Sequence, residues 1–246
     1  MKMRRFLTIV VLLFALITSA SAQKTYALLT GVSNYGDASA NLAGTTKDVK
    51  SLQQVLKNQG ATVAISTSKY ATYDNIMKRL DAIIQLAKPE DAIIFFFSGH
   101  GDTGCFVTYG LNAFPYSDLI NKLAKAKSQH IFCFIDACKS GSVATSTGQN
   151  FNWSQAIGNK ITFFMGCRAD EYSYENQWLG HGFFSQALLK GLRGKADKNG
   201  DKKITVEELF NYIHADVVAR TKDSKVPQHP QLIGSRSNFN FVLAKW

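Results

Sequence analysis

Apolar runs alternate with amphipathic stretches along this chain, and the alternation is that of strands and helices. Tyr26–Gly31 is a short apolar run that predicts a strand. Thr45–Asn58 follows, with Val49, Leu52, Val55 and Leu56 at helical spacing and Gly60 as the stop. Thr62–Ser66 predicts a second strand. Thr72 is placed to cap a second helix, whose apolar residues Ile76, Leu80, Ile83, Ile84 and Ala87 form one face before Pro89 ends it. Asp91–Ser98 contains the unbroken run Ile93-Ile94-Phe95-Phe96-Phe97, so this strand is apolar on both faces, as a central parallel strand covered by helices must be. A small hairpin is expected over Phe106–Leu111 and a helix from Ser117 to about Lys127. His130–Asp136 is a second two-sided strand, and Ile161–Gly166 another after a loop rich in Ser, Thr, Gly and Asn. Helices over Phe183–Leu192 and Val206–Arg220 and a last edge strand over Phe239–Leu243 complete the reading.

Strands separated by helices of this length imply right-handed crossovers and an α/β fold in three layers, a mostly parallel central sheet with helices on both faces. In such sheets functional groups gather beyond the carboxyl ends of the strands. The chemistry is therefore sought there.

The first residues stand apart from this pattern. Met1–Arg5 is basic, Phe6–Ile17 is apolar, and Ser19-Ala20-Ser21-Ala22 ends in the small-x-small pattern of a signal peptidase site. The apolar run is too short to span a bilayer, which takes about 20 residues. Cleavage before Gln23 is expected, giving an exported protein without stable membrane insertion, periplasmic or secreted, with a single domain over 23–246. A chain of 246 residues, 46% hydrophobic and 19% charged, has the material for one sizeable core. The formal net charge of +10 includes Lys2, Arg4 and Arg5 of the leader, and no later stretch gathers five or six basic residues, so a nucleic-acid partner is not supported. Oligomeric state is not legible.

Export permits disulfides, and Cys105, Cys133, Cys138 and Cys167 suffice for two on count alone. Cys133 sits inside an apolar run and reads as a small core hydrophobe. Cys138 differs. It follows a strand, in Asp136-Ala137-Cys138-Lys139-Ser140-Gly141, among small residues that present a side chain rather than bury it.

Two strand ends carry the candidate chemistry. Ser98-Gly99-His100-Gly101 follows the strand ending at Ser98, and Ala137-Cys138 follows the strand ending at Asp136. If these strands are parallel neighbours, about 4.8 Å apart, equal offsets past their ends bring His100 and Cys138 into one crevice. A thiol with an ordinary pKa near 8.5 is mostly protonated at neutral pH, and an adjacent imidazole can take its proton and later protonate a leaving amine. Glycines flanking His100 allow a sharp bend, and the amides of Gly101 and Cys138 are candidates for an oxyanion hole. His130 opens a strand, His214 lies on a helix and His229 lies in a loop. Gly180-His181-Gly182 resembles the His100 segment locally but precedes a helix, so His181 reads as a turn or cap. A zinc site on Cys138 and His100 lacks a second close ligand pair.

With these residues in place, the sequence resembles the caspase-like cysteine peptidases, and among them the bacterial metacaspase-like branch. The resemblance runs from about Thr25 to Leu232. It includes Gly31-Val32-Ser33-Asn34-Tyr35, Asp170-Glu171-Tyr172-Ser173-Tyr174-Glu175, Gly180-His181-Gly182-Phe183-Phe184 and Pro227-Gln228-His229-Pro230-Gln231-Leu232. It implies peptide-bond hydrolysis by a cysteine nucleophile and a histidine base, with no cofactor in the chemical step and a peptide or protein as substrate. Caspases that cleave after aspartate carry glutamine two residues before the nucleophile; here Asp136 stands there, as in relatives that cleave after Arg or Lys. A second pocket acid of that branch falls on Asp48, in Leu42-Ala43-Gly44-Thr45-Thr46-Lys47-Asp48, where Thr45 and Lys47 replace the family's Cys and Asn. Lys47 could compete for the acids, and Ser98 would line the same pocket. Two carboxylates in a partly buried slot favour a basic P1 side chain. Asp48 also reads simply as a first-turn helix acid. The alternative to an enzyme is a catalytically silent scaffold of this fold that binds a peptide or protein partner.

Asp197, Asn199, Asp201, Lys203, Thr205 and Glu208 occupy positions 1, 3, 5, 7, 9 and 12 of a calcium-loop pattern. Lys202 replaces the glycine expected at position 6, and Thr205-x-x-Glu208 is equally a capping box for the last helix. Calcium binding there is one reading and a ligand-free polar turn the other. Ser142–Asn159 contains no Lys or Arg, so an enzyme cutting after basic residues finds no site within it, and a single uncleaved active chain is expected.

Overall fold

The computed structural model describes residues 23–144, 158, 160–171, 173, 175–176, 181–234 and 236–245. The expected leader, residues 1–22, and most of the Ser/Thr-rich loop, 145–157 and 159, lie outside the described residues. Among the described residues no helix is long and apolar enough to cross a membrane.

The chain runs β1 (Thr25–Gly31), α1 (Thr45–Asn58), β2 (Thr62–Thr67), α2 (Tyr73–Leu86) and β3 (Ala92–Ser98). Next come β4 (Gly101–Asp102), β5 (Cys105–Thr108), β6 (Asn112–Pro115), α3 (Tyr116–Leu123), β7 (His130–Asp136) and β8 (Ile161–Met165). It closes with β9 (Glu175–Asn176), β10 (His181–Gly182), α4 (Phe183–Lys190), β11 (Lys203–Thr205), α5 (Val206–Thr221), β12 (Gln231–Gly234) and β13 (Val242–Lys245). The main sheet has the order β12-β8-β7-β3-β1-β2, parallel throughout except for β12, which runs antiparallel to β8.

Alternate residues of each central strand point to opposite faces, and both faces are packed. Ile93, Phe95 and Phe97 face α2, α3 and the small β4–β6 sheet, where Phe106 stacks 4.5 Å from Phe97 and 4.5 Å from Tyr116. Ile94 and Phe96 face the other way, with Phe132, Phe134 and Phe164, against α1, α4 and α5. Full burial of such side chains stabilises by about 1.5–3 kcal/mol each. This two-sided demand is what the unbroken apolar runs satisfy.

Polar groups at the amino ends of the strands fix their alignment. Asp91 is buried, and its carboxylate accepts from the Lys24 amide (2.9 Å) and the Lys88 amide (2.9 Å). Ser128 donates its hydroxyl to the Asp91 carbonyl (2.7 Å) and accepts the His130 amide (3.1 Å). The starts of β1, β3 and β7 are thereby tied together, giving the registers Thr25↔Ala92 and Ala92↔His130. At the other end Gly31, Ser98 and Asp136 form one row.

Helix signals are in place: Thr72 accepts the Asn75 amide (3.4 Å), and Thr205 and Glu208 form a reciprocal capping box at α5. Four boundaries differ from the sequence reading. The hairpin is longer, because the Tyr109-Gly110-Leu111 turn, with positive φ at Gly110 and Leu111, separates two paired strands rather than ending one. The helix expected to reach Lys127 stops at Leu123, and that expected to reach Leu192 stops at Lys190 and continues as a wide turn in which Gly194 has φ 106°. Phe239–Leu243 is not the edge of the main sheet. The strand there, β13, pairs with β11, and β12 takes the edge. β12 has only four residues, following Pro230 and ending on Gly234 at φ 146°, too few for a periodic signal.

Replacing Asp91 by Ala removes the charged acceptor of the Lys24 and Lys88 amides, and about 2 kcal/mol of stability should be lost in urea unfolding.

Candidate active site

His100 lies two residues beyond Ser98 on β3, Cys138 two residues beyond Asp136 on β7, and Ser98 and Asp136 are register partners. The equal offsets bring both side chains to the wall of one cavity of ≈ 100 Å³, which Thr45, Ser98, Asp136 and Gly182 also line. Pockets for drug-sized ligands run from about 300 Å³ upward, so this space suits a single side chain.

The His100 ring is held from two sides. Its Nε2 lies 2.8 Å from the Ala40 carbonyl, which can only accept, so Nε2 carries the proton and Nδ1 keeps its lone pair. Tyr35 Oη accepts the His100 amide (2.6 Å), and the Tyr35 ring packs 4.8 Å from the imidazole. Gly99 makes that approach feasible, since a Cβ there would sit 2.8 Å from Tyr35 Oη.

Cys138 opens a tight turn. Lys139 follows it with φ 52°, its amide donating to the Glu171 carbonyl (2.9 Å). The Gly141 amide donates to the Cys167 carbonyl (2.9 Å), with its Cα against the Arg168–Ala169 backbone. Cys138 is partly exposed, its thiol is directed at the Ser173 carbonyl (3.9 Å), and burial pushes its pKa above the ordinary thiol value. The sulfur therefore keeps its proton at neutral pH until a base removes it. All four cysteines are free thiols. β4 passes directly over this turn: a Cβ at Gly101 would lie 2.6 Å from the Cys138 carbonyl oxygen. Gly101 and the Cys138 peptide are neighbours.

Two buried carboxylates stand beside them. Asp136 accepts from the Ser173 hydroxyl at one oxygen and from the Ser185 amide (3.0 Å) and hydroxyl (2.7 Å) at the other. Burial raises its pKa and these hydrogen bonds oppose the rise. Gly182 packs against it so closely that a Cβ would overlap Oδ2. Asp48, on the first turn of α1, accepts from Ser98 Oγ (3.0 Å) and lies 2.6 Å from His181 Nδ1. Burial pushes Asp48 up to about 6, with Asp136 adding to the rise and His181 and Ser98 opposing it. Thr45 Oγ1, buried on the cavity wall, has no hydrogen-bond partner among the described residues.

Asp48, Ser98 and Asp136 are thus brought together as the sequence suggested, and His181 is a correction. It does precede α4, whose N-cap is Gly182, but its imidazole is neither turn nor cap: it pairs with the buried Asp48 carboxylate. Lys47, the competitor considered from sequence, is exposed. A separation of 133 residues hid the contact, and the likeness of Gly180-His181-Gly182 to the His100 segment was its only trace.

Other motif segments support these groups. Gln228 Nε2 donates to the Gly166 carbonyl (2.7 Å) and to Ser173 Oγ (3.2 Å), which in turn serves Asp136. Glu171 accepts the Arg168 and His229 amides (3.0 and 2.8 Å) while its own carbonyl holds the Lys139 amide. The calcium-loop residues lie elsewhere. Asp197, Asn199 and Asp201 accept the loop's own amides, and Glu208 caps α5. Lys203 opens β11 and gives its amide to Asp201. Among the described residues no group of three or more His, Cys, Asp or Glu is placed to hold a metal ion.

A family model for the caspase domain matches residues 24–241. The chain belongs to the caspase-domain family. This is a family of cysteine-type peptidases, and metacaspases are among the relatives. A protein described as a "probable protease" from a Desulfuromonadales bacterium is 25% identical over 275 residues, covering 89% of this chain and 33% of that protein. Metacaspase III c of Phaeodactylum tricornutum is 27% identical, covering 53% and 47%, and metacaspase-2 of Trypanosoma brucei brucei 26% identical, covering 51% and 44%. The chain spans less than half the length of these relatives. Caspase-1 from Spodoptera frugiperda, 16% identical, superposes with a TM-score of 0.63 over 86% of each chain. A Geobacter sulfurreducens protein, 14% identical, reaches 0.66 over 88% of this chain and 97% of that one. These structures show the shared fold.

The pocket has a measurable linkage. Asp48 titrates near 6 in the folded protein against about 3.9 in an unfolded chain, so the native state binds the proton more tightly and stability is lost as pH rises through 6. Asp48→Asn keeps the shape without the charge. Urea unfolding from pH 4 to 7 should show it gaining on the wild type by up to about 3 kcal/mol, most of it between pH 4 and 6.

Proposed function

We propose that this caspase-domain protein is an endopeptidase that cleaves peptide or protein substrates after Arg or Lys, with Cys138 as nucleophile and His100 as general base and acid. The observation that carries the reading is the convergence of Cys138, His100 and Asp136 on one side-chain-sized cavity. His100 Nδ1 takes the Sγ proton, and the thiolate adds to the scissile carbonyl carbon. The amides of Gly101 and Cys138 receive the oxyanion. Collapse transfers the proton from the imidazolium to the leaving amine and leaves a thioester on Cys138. Water, deprotonated by His100, hydrolyses it.

Specificity follows from charge. Asp136 and Ser98 line the cavity, and Asp48 meets it through Ser98. A guanidinium or ammonium relieves the desolvation of these acids, whereas a P1 carboxylate adds to it. Thr45 Oγ1 offers an unused acceptor on the same wall. The chemical step calls on protein groups alone. Export after cleavage before Gln23 is proposed from the Met1–Ala22 pattern, and N-terminal sequencing of the protein recovered outside the cytoplasm should read Gln23 first.

Fluorogenic peptides ending in Arg, Lys or Asp test the reading. Arg and Lys peptides should be hydrolysed and Asp peptides not, and Cys138→Ala should abolish turnover. Asp136→Ala should lower kcat/KM for Arg peptides by about 100-fold, on the order of 3 kcal/mol in the transition state. Preference for Asp, or turnover surviving in Cys138→Ala, overturns it; wild-type silence with retained peptide binding would make the chain a scaffold.

A further inference from the structure

The His181 imidazole stands where a charge-selective pocket least needs it. Its Nδ1 lies 2.6 Å from Asp48 Oδ1, its side chain is 13% exposed, and it hangs from the same dipeptide whose Gly182 backs the other carboxylate. Where Asp48 is ionised it only accepts, so Nδ1 carries the proton of that bond and Nε2 is the ring nitrogen able to take a second one. With one ring proton the pair has a net charge of −1; with two it has none. Neutralising Asp48 from within removes attraction for a cation entering from outside.

We propose that His181 determines specificity in this pocket by competing, through its second proton, with a basic P1 side chain for the Asp48 carboxylate. The inference rests on the pocket assignment made above. Proton uptake by His181 and binding of the cation then oppose each other, and the linkage is reciprocal: the proton weakens the cation by the factor by which the cation weakens the proton. Among the described residues the other charged groups near the pair are these. Asp136 on β7 lies beyond Gly182, Glu175 on β9 is the register partner of Gly182, and Lys47 precedes Asp48 on α1. Arg220 of α5 reaches the start of α4 but is committed to Asp216 and the Phe183 carbonyl. Asp136 and Asp48 add pH dependences of their own. A comparison of variants at position 181 subtracts that of Asp136 but not that of Asp48, which is pushed up to about 6 and loses its imidazole partner in the variant. Affinities are therefore compared above that range, and the His181 ring itself is the deciding readout. His181→Asn keeps a donor for Asp48 and cannot titrate.

The experiment uses agmatine, an arginine side chain without its carboxyl group, and the full chain as Cys138→Ser, so that binding is read without turnover. Calorimetry between pH 7 and 8, above the Asp48 range, should show affinity still rising by about twofold with His181 present and level in His181→Asn. In the same protein, agmatine should shift the His181 ring resonances and lower the pH of their midpoint, a readout that survives if His181→Asn fails to fold. Superimposable pH profiles, an unmoved His181 midpoint, or no agmatine binding at any pH overturns the inference. Hydrolysis by the wild type is measured separately. Linked binding without hydrolysis removes the peptidase reading and leaves this one, whereas hydrolysis of Arg peptides with unlinked binding removes this one alone.

Discussion

The clamp at the amino ends of the sheet sets the geometry at the carboxyl ends. Asp91 and Ser128 tie the starts of β1, β3 and β7 level, and the strands then climb together, so that Gly31, Ser98 and Asp136 arrive in one row. Apolar content could not enforce this. β3 and β7 are hydrophobic on both faces, and a slip by one residue would still bury apolar side chains on each. It would, however, reverse which face every residue addresses and carry His100 and Cys138 out of step. Directional hydrogen bonds in a buried place supply the alignment that oil-like packing cannot.

Once the row exists, the sheet must tolerate two carboxylates where water is scarce. Burying an ion costs several kcal/mol unless hydrogen bonds or opposite charge offset it. The two acids are managed differently. Asp136 is surrounded by neutral donors from segments far apart in sequence, Ser173 and Ser185, with Gln228 holding Ser173 in place. Asp48 has one hydroxyl and one imidazole. Neutral donors stabilise a charge without cancelling it, so Asp136 still projects its field into the cavity. Asp48 is tuned by a partner whose own charge varies. An acid wrapped in hydroxyls is a fixed pole, and an acid against imidazole is an adjustable one.

What could be read from the sequence follows the range of the interactions involved. The central strands were legible because burial on both faces leaves an unbroken apolar run, and the candidate dyad because each member follows such a run at the same offset. Asp136 came with Cys138. Side chains held by main-chain atoms were not legible: the Ala40 carbonyl that orients His100 exists at every residue and leaves no letter in the sequence. Nor was β12, four residues long, or the contact of His181 with Asp48, which depends on α1 and β10 meeting across the fold. The segments at 170–175 and 227–232 were visible as motifs, but their work, holding Ser173 and the Lys139 turn, appears only when their partners are in place.

Ser173 joins the chemistry to the pocket. Its carbonyl faces the Cys138 thiol and its hydroxyl serves Asp136, so one residue touches both the candidate nucleophile and the buried acid beside it. The contact between the thiol and that carbonyl is long, at 3.9 Å, and burial is the largest cause of the raised thiol pKa, so it is desolvation of the sulfur that an imidazole has to offset in taking the proton.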